Sequence, residues 1–100
     1  MTIESRASSD EKKVIIDIRG RFDFSQISQF RSSYESHNKD AEYTVDLRQT
    51  EHIDSSALGM LLNMRSYLGG DKAKIKIVNC SPGIMKIFEI SRFDKKFTIS

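Results

Sequence analysis

A histidine, a carboxylate and two hydroxyls share the five positions His52–Ser56, inside the stretch "HIDSSALGML". His52, Asp54 and Ser56 are the components of a serine hydrolase triad, and alternation along an extended segment could place them on one side. Their closeness argues against that use. A nucleophile, its base and the group that orients the base must converge in space, and three residues on one short stretch cannot readily do so. No "GxSxG" elbow is present. His37, in "HNKD", has no evident partner in the sequence.

Metal chemistry finds no better support. Asp46, His52 and Asp54 lack a helical "HxxxH" or paired-cysteine pattern, and Cys80 has no second thiol. No cofactor is indicated: "LGGD" comes after a helical pattern rather than opening one, so it is not a phosphate loop.

Two readings of the hydroxyls remain. In the first, they cap a helix. A serine or aspartate at an N-cap accepts a bond from a free first-turn amide, worth about 0.5–2 kcal/mol, and Asp54 would also complement the helix dipole. One cap suffices, however, and Asp54, Ser55 and Ser56 stand in a row. In the second reading one serine is a modification site. A phosphate there would meet free amides and the positive end of the helix, adding about −1.5 to −2 charges.

Periodicity defines the secondary structure around these residues. A helix is expected from about Ser56 to Leu68, stopped by Gly69 and Gly70. At about 100° per residue, Ala57, Leu58, Leu61, Leu62, Met64 and Leu68 share the side expected to face a sheet. Ser56, Met60, Asn63 and Tyr67 fall together on the side expected to face water. Arg65 lies between apolar neighbours; its stem can run along the apolar surface while its head reaches solvent.

Alternation marks strands at "VIIDIR", at Tyr43–Leu47 and at "KIKIVN", with weaker candidates in "TIESRA" and "KFTI". Lys72, Lys74 and Lys76 alternate with Ala73, Ile75 and Ile77 and read as the wet face of a strand. "RGRFDFS" reads as a turn at Gly20. A helix is expected from near Ser25, as its N-cap, to His37, carrying Ile27, Phe30 and Tyr34. Ser81 and Pro82 open another, with Ile84, Ile87 and Phe88 on one face. Strands alternating with helices predict one α/β domain spanning residues 1–100, with a partly parallel mixed sheet and helices mainly on one face.

The bulk properties agree. The 100 residues are 38% hydrophobic and 30% charged, enough for one modest core. No apolar run is long enough to span a membrane, and "MTIESRASSDEKK" lacks a secretory signal. With a lone cysteine, these features predict a cytoplasmic protein. A net charge of +2 is too small to indicate nucleic-acid binding.

"HIDSSALGMLL" resembles the signature of STAS domains, found in bacterial anti-sigma factor antagonists and in sulfate-transporter tails; the family pattern is close to "hhDSSGLGhLL", with h apolar. The resemblance continues through "IRGRFDFSQISQFR", similar to the family's "hxGxhDxxxxxxhr". It extends over "YTVDLRQTEHIDSS" and the ending "IKIVNCSPGIMKIFEISRFDKKFTI", and all four pieces occur in order. The departure is Ala57, where the family usually has glycine.

The resemblance implies that Ser56 is the phospho-acceptor, that Ser55 supports the loop, and that Asp23 lies near the phosphorylation site and partner surface. Asp54 and Ala57 would flank the acceptor. Independently of the resemblance, Met60, Asn63 and Tyr67 share the wheel face of Ser56, and exposed apolar residues in one patch predict a partner-binding surface there. The implied activity is partner switching by a domain that is not an enzyme. When Ser56 is unmodified, the antagonist binds an anti-sigma factor that is also a serine kinase, of the histidine-kinase-like ATPase type. Phosphorylation releases it, and a metal-dependent serine phosphatase restores it. The alternatives are a STAS scaffold subunit of a transport or signalling complex that is never phosphorylated, and a ligand-binding module, for which no phosphate-binding motif is present.

Overall fold

The computed structural model describes residues 2–100. In chain order the strands are β1 (Ile3–Ala7), β2 (Lys13–Ile18), β3 (Gly20–Phe22), β4 (Glu42–Asp46), β5 (Thr50–Ile53), β6 (Ile75–Val78) and β7 (Thr98–Ile99). The helices are α1 (Ile27–Glu35), α2 (Ser55–Tyr67) and α3 (Pro82–Ile90), with short 3₁₀ turns at Phe24–Gln26, Gly70–Lys72 and Phe93–Lys95.

The main sheet runs β1-β2-β4-β6-β7, with β1 antiparallel to β2 and the other pairs parallel. A separate parallel ribbon joins β3 to β5. Alternation decides which face is covered. Val14, Ile16 and Ile18 of β2, Tyr43 and Val45 of β4, and Ile75 and Ile77 of β6 are buried in one core with residues of all three helices. On the opposite face Glu4, Arg6, Lys13, Glu42, Lys74 and Lys76 are exposed or half-buried. The expected mixed sheet with helices on one face is therefore the observed architecture. Lys74 and Lys76 do point to water, but Lys72 lies in the 3₁₀ turn before β6, which begins only at Ile75.

Several local expectations hold. Ser81 Oγ accepts from the Ile84 amide (3.3 Å), with Pro82 at the first helical position. Gly69 and Gly70 follow Leu68, the C-cap of α2, with φ of +114° and +63°, a left-handed backbone that stops the helix. Arg65 is mostly covered, as expected of its stem, but its head is held by protein groups: Nε donates to the Lys96 carbonyl (3.2 Å) and an outer nitrogen meets Asp71 (2.7 Å).

Other expectations are corrected. His37 has partners: its Nε2 lies 3.1 Å from Ser5 Oγ and its Nδ1 3.8 Å from Glu11, so it links the end of α1 to the β1–β2 hairpin. Ser25 does not cap α1. Asp23 caps the preceding 3₁₀ turn, and α1 begins at Ile27. The segment read as a turn at Gly20, and the stretch around Thr50 to which no element was assigned, are the strands of the ribbon.

Candidate functional site

β2 and β4 are neighbours in the main sheet, and each hands its chain to one strand of the ribbon. Gly20, at φ +73°, turns the chain out of β2. Its amide donates to the Gln49 carbonyl (2.8 Å), and the buried Thr50 hydroxyl donates to the Ile18 carbonyl (2.8 Å). These bonds fix where the ribbon starts. Its register pairs Arg21 with His52 and Phe22 with Ile53, and both Phe22 and Ile53 are buried. The apolar pair anchors the ribbon's end in the core.

The next residue on each strand is an aspartate in extended backbone: Asp23 (φ −138°, ψ −174°) and Asp54 (φ −122°, ψ −177°). Paired strands lie about 4.8 Å apart, so the two aspartates leave the ribbon side by side. Each caps a helical turn directly after it. Asp23 Oδ1 accepts from the Ser25 amide (3.0 Å) and hydroxyl (2.6 Å), and Gln26 Oε1 accepts from the Asp23 amide (2.8 Å). Asp54 Oδ1 accepts from the Ala57 amide (3.1 Å). The Ser25 hydroxyl and then its amide hold the Asp23 carboxyl below the usual aspartate range, and Arg21, 3.5 Å away, acts in the same direction.

Because Asp54 is the cap, neither Ser55 nor Ser56 is used as one. Ser55 is exposed and Ser56 half-buried in the first turn of α2. Among the described residues neither hydroxyl has a hydrogen-bond partner. The amides of that turn other than Ala57 lack intrahelical acceptors by the geometry of a helix start. The arrangement offers an unengaged hydroxyl beside donors suited to an oxyanion.

Further along α2 the helical wheel is only partly right. Ala57, Leu61, Met64 and Leu68 are buried. Met60, expected in water, is also buried at 4% exposure, whereas Leu62, expected in the core, is 36% exposed. The reason is α1. It packs beside α2 and rotates the buried arc toward Met60, which joins Phe30 and Tyr34 in the seam between the helices. Asn63 remains exposed on that flank. Tyr67 is 37% exposed, its ring 5.4 Å from that of Tyr34 and under the Lys39 ammonium (4.9 Å).

Two apolar residues near the site are exposed: Phe24, which the sequence did not single out, and Ile27, expected with Phe30 and Tyr34 among the apolar residues of α1. Phe24, directly after Asp23, is 68% exposed, and Ile27 is 39% exposed at the mouth of the α1–α2 seam. A cap signal was available, since "DFSQ" places Asp three residues before Gln in capping-box spacing. With Asp23 as cap, Phe24 falls in the first turn and need not enter the core.

Among the described residues no group of three His, Cys, Asp or Glu side chains could hold a metal ion. No helix there is long and apolar enough to cross a membrane.

A family model described as "Mlab, STAS domain" matches residues 5–99. A STAS-domain containing protein of Pseudomonas aeruginosa (strain UCBPP-PA14) is 46% identical over 101 residues, covering 100% of both chains. The anti-sigma factor antagonist SpoIIAA in its unphosphorylated form superposes with a TM-score of 0.72 at 16% identity, over 98% of this chain and 86% of that one. Bacillus SpoIIAA in its phosphorylated form gives 0.70 at 17%, over 98% and 90%. At such identity these structures speak to the fold alone, and the fold is SpoIIAA-like. With the family model covering nearly every residue and a relative matched end to end, the chain belongs to the STAS-domain family.

Proposed function

We propose that this domain is a phosphorylation-switched anti-sigma factor antagonist acting in the cytoplasm through one domain spanning residues 1–100. The observation that carries the reading is the division of labour at the start of α2: Asp54 performs the capping, and the Ser56 hydroxyl is left unengaged. In the unmodified state the domain binds an anti-sigma factor that is also a serine kinase of the histidine-kinase-like ATPase type. The kinase transfers the γ-phosphoryl group of ATP to Ser56 Oγ, the hydroxyl proton is lost and ADP leaves. A metal-dependent serine phosphatase hydrolyses the ester to serine and inorganic phosphate. The domain supplies the hydroxyl and catalyses neither step.

The proposed contact surface joins the first turn of α2 to the α1–α2 seam: Ser56, Asn63 and Tyr67, with Asp23 at the ribbon end and Phe24 and Ile27 beside it. Met60 is buried between the helices and does not belong to this surface. The existence of a phosphorylated form of the structurally similar SpoIIAA supports the reading.

The test is mass spectrometry of the protein purified from its native cells, in growth phases that alter sigma-factor output. A phosphoryl group on Ser56 in one state and its absence in another is expected. A chain that never carries phosphate, while still co-purifying with a transport or signalling complex, would mark it as the scaffold subunit instead.

A further inference from the structure

The two edges of the main sheet differ in how they are protected. β7 has two residues and lies beside Lys95 and Lys96. β1 has five regular residues with no proline, lysine or bulge, and its two charged side chains, Glu4 and Arg6, are of opposite sign. Native sheets normally blunt such an edge, because its free amides and carbonyls template another strand.

Which groups are free depends on parity. The Arg19 amide donates to the Thr2 carbonyl and the Ser8 amide to the Lys13 carbonyl, both at 2.8 Å. Hydrogen-bonded pairs alternate along an antiparallel ladder. Thr2, Glu4, Arg6 and Ser8 thus bond to β2, and the backbone groups of Ile3, Ser5 and Ala7 face outward.

We propose that β1 pairs with β1 of a second copy of this chain, antiparallel across a twofold axis at Ser5, making one continuous ten-stranded sheet. Charge selects both occupant and register. Centring on Ser5 places Glu4 opposite Arg6 of the second copy, Arg6 opposite its Glu4, and Ile3 opposite its Ala7. The neighbouring registers that also match outward groups are centred on Glu4 or Arg6. They set carboxylate against carboxylate or guanidinium against guanidinium, which is unfavourable at directly opposed positions.

Within each copy Glu4 lies directly across the ladder from Asp17, and each of these carboxylates is met diagonally by a guanidinium on the open face, Asp17 by Arg6 (3.1 Å) and Glu4 by Arg19 (3.6 Å). The pairing extends these into an alternating row, Arg19–Glu4 of one copy and Arg6–Asp17 of the other, repeated by the twofold. The association itself rests on backbone bonds, two at each of three pairs, since exposed ion pairs contribute little. On the covered face, a groove of about 530 Å³ beside β1 is lined by Ile3, Ser5, Ser28, Gln29, Ser32 and Ser36. Small serines on this flank of α1 leave room for α1 of the second copy.

The test is sedimentation velocity on the full chain from about 1 µM to about 1 mM, read as dissociation constants. Wild type is expected to show a monomer–dimer equilibrium. Glu4→Arg and Arg6→Glu each place like charges opposite in their own dimers and should each weaken association at least about tenfold. An equimolar mixture of the two is expected to restore dimers, because every opposed pair across the axis is then Arg against Glu. Ser5→Pro removes one outward amide that the monomer does not use and should also abolish the dimer, with circular dichroism confirming the fold. A wild type that stays monomeric throughout overturns the proposal. So does a dimer indifferent to both charge variants, or a mixture that fails to associate.

Discussion

Phe22 and Ile53 are Cα partners at the buried end of the two-stranded ribbon, and the residue after each is an aspartate in extended backbone that caps the next helical turn. The register of one apolar pair therefore sets the position of two carboxylates and of the α2 N-terminus. Burial of Phe22 and Ile53 holds that register, because a shift by one residue would turn both side chains out of the core.

Asp54→Ala should remove the cap of α2 and destabilise the domain by about 1 kcal/mol (range about 0.5–2), with Asp54→Asn largely preserving stability. Urea unfolding followed by circular dichroism checks this. Equal midpoints for Asp54→Ala and wild type would show that another group serves the Ala57 amide.

Asp23 should titrate below the usual aspartate range in an NMR pH series, chiefly because it accepts from the Ser25 hydroxyl. Ser25→Ala should move it upward. Since the folded-state pKa is the lower one, any stabilisation from this group is complete above the unfolded aspartate pKa and disappears as pH falls through the folded value. No upward movement in Ser25→Ala would assign the depression to the Ser25 amide or to Arg21 instead.

The corrected arc of α2 separates two neighbours that sequence reasoning placed the other way round. Met60→Ala should cost about 2–5 kcal/mol, as for other buried large-to-alanine changes. Leu62→Ala, at a side chain 36% exposed, should cost clearly less, about 1 kcal/mol. Thermal unfolding of both variants decides it, and similar losses would mean that Leu62 is covered.

The contrast shows what a sequence can and cannot carry. β2, β4 and β6 were legible because each alternates over four or more residues, and α3 because Ser81-Pro82 states its start. β3 has only three residues, too few for periodicity to register, and Gly20 reads as a turn; β5 is as long as β6 but does not alternate, burying only its two end residues, Thr50 and Ile53. Yet they position Asp23 and Asp54. Met60 was misplaced because a wheel knows one buried direction, toward the sheet, whereas α2 also packs against α1. The unengaged hydroxyl at Ser56 was visible as a surplus of caps, and the structure shows which of the three residues performs the capping.

Ser56 is the residue on which the proposed function stands, and three variants with the purified kinase and ATP separate its role from that of Ser55. A phosphate at Ser56 adds about −1.5 to −2 charges to a surface that must lose water to bind, while first-turn amides stabilise it in the free domain. Both effects favour release. Ser56→Ala should bind the kinase like wild type, accept no phosphate and fail to release. Ser55→Ala should still be phosphorylated. Authentic phosphoprotein should bind at least about tenfold more weakly than unmodified protein, a difference of about 1.4 kcal/mol. Ser56→Asp should weaken binding in the same direction but by less, because a carboxylate carries less charge. All variants should unfold as cooperatively as wild type, since Asp54 rather than either serine caps α2. Full phosphorylation of Ser56→Ala would move the acceptor to another hydroxyl. Undiminished binding by the phosphoprotein would remove the switch altogether.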